Sequence, residues 1–164
     1  MTPVDALPTV AEIAITLAGF IGLIVVFKPV SANSWSDEDR ARVVFVLILC
    51  SLILLCALLP FALSGLFQSD AVIWGASEVL FGSGNLFLIS SMFLRIHAKR
   101  INIQFPLLSW PILLIWVLLT TSILVSGLGL VFPLSAGLLL MGMLWSLLIG
   151  TLTLIALMAQ NMSM

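Results

Sequence analysis

The chain has little charge, and its last 64 residues, Ile101 to Met164, contain no Lys, Arg, Asp, Glu or His. Charged residues make up 8% of the sequence and hydrophobic residues 62%, whereas a soluble domain is roughly one quarter charged and half apolar. A run that long without charge cannot form a water-facing surface, so the composition predicts a protein embedded in lipid. The formal charge of −1 provides no basic field, so we do not expect nucleic acid as a partner.

Residues that carry catalysis or bind metals are also scarce. His97 is the single histidine, which excludes bis-histidine haem binding within one chain. Cys50 and Cys56 lie in one apolar run at a spacing that turns them to different helix faces, so we expect core thiols. The Ser residues lack a buried His and acid to activate them. The sequence therefore predicts no enzyme, no catalytic or metal-ligating residue and no cofactor.

The apolar residues form long continuous runs, as in membrane helices, rather than the short alternating segments of a barrel. About 20 apolar residues are needed for each spanning helix, and a Gly-rich stretch ending at Pro133 divides the charge-free C-terminal part. We predict an all-α polytopic transmembrane helical bundle that forms one domain over residues 1–164. Its five spans are expected at approximately 9–27, 43–67, 71–94, 106–130 and 134–159.

Local signals mark two helix starts. Residues 1–7 contain one acid, Asp5, and no base, so they lack the positive region of a secretory signal peptide, and we expect the first span to remain in the mature chain. Ser36 is followed by three acids, a pattern typical of an N-cap and a first helical turn. The second helix is therefore expected to begin there.

The basic residues predict the orientation in the membrane. All six fall in the connections between spans one and two or between spans three and four: Lys28, Arg40, Arg42, Arg95, Lys99 and Arg100. The positive-inside rule makes that side cytoplasmic, with the N-terminus outside and the C-terminus inside. Trp35, Trp74 and Trp110 are expected near helix ends at the membrane interface, whereas Trp116 and Trp145 are expected to pack more deeply.

Two predicted spans carry faces of small residues, which allow membrane helices to approach closely. In span five this face comprises Gly142, Ser146 and Gly150. In span one it comprises Ala11, Ala18 and Gly22, flanked by Ala14 and Gly19. We expect the span-one face to pack within the chain, and a subunit interface is the alternative.

Span three has a polar stripe, because Glu78, Gly82 and Asn85 recur at i, i+4 and i+7. Glu78 is about 12 Å along the helix from Asp70, near mid-bilayer. An ionised carboxylate at that depth costs several kcal/mol, so we expect it to be neutral, hydrogen-bonded or exposed to a water-filled cavity. Two interpretations stay open: a proton or cation path through Glu78 and Asn85, or a satisfied carboxylic acid that fixes helix packing.

The remaining ionisable residues have simpler explanations. Glu12 is expected about one turn into span one, where an acid near a helix N-terminus is favourable, and an entry site to a polar path is the alternative. His97 stands among Arg95, Lys99 and Arg100. We expect this basic cluster to contact lipid headgroups.

Several fragments of the first hundred residues resemble a recurrent group of small uncharacterised bacterial inner-membrane proteins. They are Ala11-Glu12-Ile13-Ala14, Ala18-Gly19-Phe20 with Gly22, Trp35-Ser36 with Glu38-Asp39-Arg40 and Arg42, and Leu58-Leu59-Pro60 with Trp74. The likeness covers roughly residues 10 to 100. The group carries two small hydroxyl residues shortly after the tryptophan of span three, whereas here Ser77 is followed by Glu78. The resemblance implies a multi-pass protein of the bacterial cytoplasmic membrane and transfers no functional residue.

Two functions are compatible with these features. The first is a small homo-oligomeric proton or ion channel or permeation protein, in which symmetry copies line a pore. The alternative is a non-catalytic accessory or structural subunit of a larger membrane complex. The expected partners are the lipid bilayer and either further copies of this chain or other membrane subunits.

Overall fold

The fold is described from a computed structural model, which places residues 3–27, 36–97, 109–130 and 136–162. Within these ranges the chain forms five α-helices and no strand: α1 Pro3–Phe27, α2 Asp37–Ser64, α3 Asp70–His97, α4 Ser109–Gly127 and α5 Ala136–Met162. All five are long and apolar enough to cross a membrane. The predicted all-α bundle of five spans is confirmed.

The predicted start of α2 is also confirmed. The Ser36 side chain accepts a hydrogen bond of 3.0 Å from the Asp39 backbone N–H, and the three acids Asp37, Glu38 and Asp39 occupy the first turn. This cap satisfies one of the N–H groups that a helix start leaves unpaired, while the acids complement the helix dipole. The helix then continues past the buried Pro60 to Ser64.

The first helix begins six residues before the expected Thr9. Pro8 lies inside α1 rather than before it. A proline at this place removes one backbone hydrogen bond, to the Val4 carbonyl, but the rest of the helix can form around it. α2 ends three residues before the expected position 67, and α3, α4 and α5 begin and end within three residues of the expected spans.

Three helices form the centre of the bundle. α2, α3 and α5 contact one another, α1 lies against α2 and α5, and α4 lies against α3 and α5. Half of the α3 span is buried (50%), compared with 22% for α1 and for α4. The flanking helices α1 and α4 therefore have a smaller share of buried residues than the central α3. The fully buried side chains include Leu49, Ile53, Phe81, Ile123, Leu139 and Met143.

Small residues allow the helices to approach closely. A Cβ atom at Gly127 of α4 would lie 2.9 Å from the backbone N of Val79 on α3, and one at Gly82 would lie 3.0 Å from the Leu124 Cβ. These two glycines let α3 and α4 meet at short distance. On α5, Gly142 faces Ile123 and Gly150 faces residues of α1 and α2, so the small face of span five packs within the chain.

Candidate functional site

The polar stripe of α3 lies inside the bundle. Glu78 and Asn85 have no exposed surface, and Gly82 between them is buried as well. The stripe therefore faces protein and is shielded from lipid. Nearby Ser77 is also fully buried, and its hydroxyl donates to the Ile73 carbonyl of its own helix at 2.8 Å.

Asn85 joins three helices through its side-chain amide. Its Oδ1 accepts hydrogen bonds from Trp116 Nε1 on α4, at 3.1 Å, and from Ser146 Oγ on α5, at 3.3 Å. Its Nδ2 donates to the Phe81 carbonyl at 3.0 Å. We call Asn85, Trp116 and Ser146 the Asn85 cluster. Because its donors and acceptor meet in a water-excluded interior, the cluster fixes the relative positions of α3, α4 and α5.

A fourth helix supports the Asn85 cluster. The ring of Phe45 on α2 lies 6.1 Å from that of Trp116, at an interplanar angle of 85°. An edge-to-face pair of this kind is a favourable aromatic geometry. Phe45 therefore holds the indole whose N–H donates to Asn85. Sequence reasoning treated Trp116 only as a packing residue, because nothing in its local pattern pairs it with an amide 31 residues away.

Glu78 occupies a separate place, about 10 Å along α3 from Asn85. Its Cβ lies against Gly127 of α4, the residue that follows the buried Ser126 in the sequence. Among the described residues, neither Glu78 Oε2 nor Ser126 Oγ makes a hydrogen bond, although Glu78 does interact with the protein. Asn85 lies about two helical turns further along the same helix, and its hydrogen-bond partners are Phe81, Trp116 and Ser146 rather than Glu78.

Glu12 lies outside the bundle and deeper in its span than expected. Because α1 begins at Pro3, Glu12 is the tenth residue of the helix, well past the first turn in which an acid benefits from the dipole. In the span Val4–Val26 it is only about 4.5 Å from the midpoint, Ile15. Its side chain is exposed, and α1 does not contact α3 or α4. The structure therefore does not bring Glu12 together with Glu78 and Asn85.

Glu12 belongs to a line of exposed residues that runs the length of α1. The line comprises Asp5, Thr9, Glu12, Thr16, Gly19, Leu23 and Val26, all exposed. Successive members are alternately four and three residues apart, which is the spacing of a coiled-coil seam. We call this set the α1 seam. Its N-terminal four members are polar, and the alternating spacing was the sequence signal that could have revealed it.

The basic residues are described only in part. Arg40 is exposed and Arg42 half-buried at the start of α2, and the backbone of Arg95 lies in the last turn of α3. Consecutive spans alternate in direction, so these positions lie at the same end of the bundle. Lys28, Lys99 and Arg100, together with Trp35, lie outside the described residues. The cytoplasmic assignment of this end stays a prediction.

The two cysteines are free and buried, as expected for core thiols. Among the described residues, no three His, Cys, Asp or Glu side chains are grouped so that they could hold a metal ion. Trp110 is exposed at the start of α4, and the deeper Trp116 is buried. The buried groups of α3 and the exposed α1 seam contain Glu78 and Glu12, the two glutamates that lie well inside a span.

The five apolar helices define a small, multi-pass integral membrane protein. No protein-family model, curated protein or solved structure matches the chain. The assignment of a function therefore depends on the arrangement of the chain's own residues.

Proposed function

We propose that this protein is a non-catalytic membrane subunit that acts by assembling with other membrane-embedded chains. The observation that carries the proposal is the exposed Glu12 near the middle of its span. Ionisable side chains within membrane spans almost always face protein or a water-filled cavity, because lipid offers no hydrogen-bond partner. An outward-facing carboxyl group is therefore a sign that another protein surface covers α1.

The interior supports the same conclusion. A pore between symmetry copies needs polar side chains on the outer surface of each copy. Here the stripe that would line such a pore, with Glu78 and Asn85, is enclosed by the chain's own helices. The Asn85 amide is engaged with Trp116 and Ser146, which is the pattern of a structural polar contact. The buried stripe thus favours helix packing over a shared pore lined by Glu78 and Asn85.

Native mass spectrometry of the protein, extracted gently from its own membrane, tests the proposal. We expect a stoichiometric assembly, either of several copies or with companion chains. A protein that is monomeric at its natural abundance, under extraction that preserves a known membrane complex, would refute it. A companion chain at fixed ratio would direct the search for function to that partner.

Permeation is a second candidate, favoured by one observation. Glu78 carries a carboxyl group that is fully buried about 12 Å from the end of α3. Such a group can take part in proton or cation transfer if water reaches it. Flux through reconstituted vesicles tests this candidate: Glu78→Gln should abolish the flux, whereas Ser51→Ala on the exposed surface of α2 should preserve it. Absence of flux in the wild type, or equal flux in both variants, rejects it.

We also propose that the end of the bundle carrying Arg40, Arg42 and Arg95 faces the cytoplasm of a bacterial cell. The support is the positive-inside rule, together with the resemblance of the first hundred residues to bacterial inner-membrane proteins. Fluorescent-protein and alkaline phosphatase fusions to the C-terminus test the orientation. Fluorescence without phosphatase activity is expected, and the opposite result would invert the topology.

A further inference from the structure

We propose that the α1 seam is a self-association surface, on which α1 of a second copy packs in parallel with Glu12 facing Glu12. This inference rests on the proposed assembly function and names its interface. It is carried by the exposure of the whole seam, its regular spacing and the polar side chains along its N-terminal half.

The spacing favours a helix as the occupant. Seam residues recur at intervals of four and three over 22 residues, from Asp5 to Val26. This spacing lets one α-helix pack along another at about 20°, as in left-handed coiled coils and most membrane bundles. A set of residues that wound around α1 could not all contact one straight partner helix. The α1 seam instead stays on one side of α1 for the length of the span.

Symmetry and carboxyl chemistry favour a second copy. Copies inserted in the same orientation are related by an axis along the membrane normal, so each residue meets its equivalent at the same depth. A carboxylic acid both donates and accepts hydrogen bonds, and two of them can satisfy each other. The seam contains acids and hydroxyls but no base. Two carboxyl groups paired in this way satisfy each other's hydrogen bonds and no longer face lipid. The interface therefore needs no partner residue of another type.

The seam also has room for a close approach. A Cβ atom placed on Gly19 would meet nothing within 4 Å, so the space beside its backbone is open. Gly19 lies two turns from Glu12 on the same face. Leu23 and Val26 then continue the seam as exposed apolar side chains, 54% and 73% exposed respectively. A second α1 can therefore pair polar groups at one end and pack apolar groups at the other.

Cysteine crosslinking in native membranes tests the geometry. Gly19→Cys should form a disulfide-linked dimer on mild oxidation, because facing seam positions bring the Cα atoms within bonding range. The matched control is Phe20→Cys, which is also exposed but lies about 100° around the helix from position 19, at the edge of the seam. We expect at least tenfold more dimer from position 19. The native Cys50 and Cys56 are buried, so the wild type should give no dimer.

The chemistry of Glu12 is tested with two substitutions in the Gly19→Cys background. Glu12→Leu should reduce the crosslinked fraction about tenfold, because it removes the interhelical hydrogen bonds. Glu12→Gln should retain most of it, since an amide also donates and accepts. Equal losses in both variants would refute a hydrogen-bonded contact at this position.

The outcomes separate this inference from the proposed function. Equal or absent crosslinking at positions 19 and 20, in a protein that native mass spectrometry finds in an assembly, would overturn the α1 interface but leave the assembly function standing. A disulfide from position 19 to a different protein would replace the second copy with that partner, and so would also overturn the inference. If native mass spectrometry finds only a monomer, both the α1 interface and the assembly function are refuted.

Discussion

Two helices of this protein each carry a glutamate with one small and one polar residue at i+4 and i+7. These residues are buried on α3 and exposed on α1. On α3, Glu78 is followed by a small and a polar residue at i+4 and i+7, and all three are buried. On α1, Glu12 is followed by Thr16 and Gly19 at the same spacing, and all three are exposed. Spacing determines which residues share a helix face. Which helix covers that face is determined by the rest of the bundle.

The difference between the two faces is a difference in neighbours. The α3 face meets α4 and α5, which supply an indole N–H and a hydroxyl to Asn85. The Glu12 side of α1 is exposed, whereas among the described helices α1 packs on α2 and α5 through its other side. If the α1 seam is also covered, its neighbour belongs to another chain. Substitutions on the two faces should therefore affect different properties, folding for α3 and association for α1.

The largest expected effect is at the contact between α3 and α4. Gly127→Leu should lower the free energy of unfolding by about 3 kcal/mol, because its side chain would collide with the backbone of Val79 and the Cβ of Glu78. Unfolding in mixed micelles, followed by circular dichroism, measures the change. The matched control is Gly22→Leu on α1, where a Cβ meets nothing within 4 Å. Equal destabilisation in both variants would contradict the close approach at Gly127.

A smaller effect is expected within the Asn85 cluster. Asn85→Ala should destabilise the bundle by about 2 kcal/mol, since it leaves a buried indole N–H and a hydroxyl unpaired. A double-mutant cycle with Ser146→Ala should give a coupling energy of about 0.6 kcal/mol, the usual size for one hydrogen bond between membrane helices. Ser51→Ala, at an exposed hydroxyl bonded to its own helix, is the control and should change stability by less than about 0.5 kcal/mol. If the effects of the two substitutions are strictly additive, the 3.3 Å hydrogen bond from Ser146 to Asn85 contributes nothing to stability.

Local patterns predicted the helices and faces of this protein, but not the pairing of side chains between helices. The Ser36 cap, the five apolar runs and the α3 stripe each depend on residues within a few positions of one another, and all were found. The contacts of Asn85 with Trp116 and Ser146 join residues 31 and 61 positions apart. No local pattern encodes such pairings, because they depend on how the helices dock.

The position of Glu12 was misjudged for a different reason. A span that begins at residue 9, just after Pro8, puts Glu12 about one turn into the helix. The helix instead includes the proline and starts at Pro3, so the same carboxyl lies near the middle of the span. A helix in lipid can lose one hydrogen bond at a proline and still continue, since leaving the helix would expose many more backbone groups. The six-residue difference in the start of α1 moves Glu12 from near the helix start to near the middle of the span, where it is a candidate contact with another chain.

The smallest expected effect distinguishes the α1 seam from any other exposed surface. Thr16 Oγ1 donates to the Glu12 carbonyl at 2.8 Å, and Thr151 on α5 makes the same bond, at 2.8 Å, to Leu147. Both side chains are exposed, so neither Thr→Val substitution should alter unfolding by more than about 0.5 kcal/mol. A hydroxyl bonded to its own helix keeps an acceptor site for a neighbouring helix. Only Thr16 has such a neighbour if α1 pairs with α1.

Thr16→Val should therefore weaken dimerisation about threefold, the equivalent of about 0.6 kcal/mol, whereas Thr151→Val should leave it unchanged. Energy transfer between labelled copies in vesicles, diluted with lipid over two orders of magnitude, measures both dimer fractions. An equal shift in the two variants would assign the effect to the lost hydroxyl itself. A shift confined to Thr16→Val would show that Thr16 and Thr151, which make the same hydrogen bond, differ only in the neighbouring helix that faces them. Glu12 and Glu78 differ in the same way.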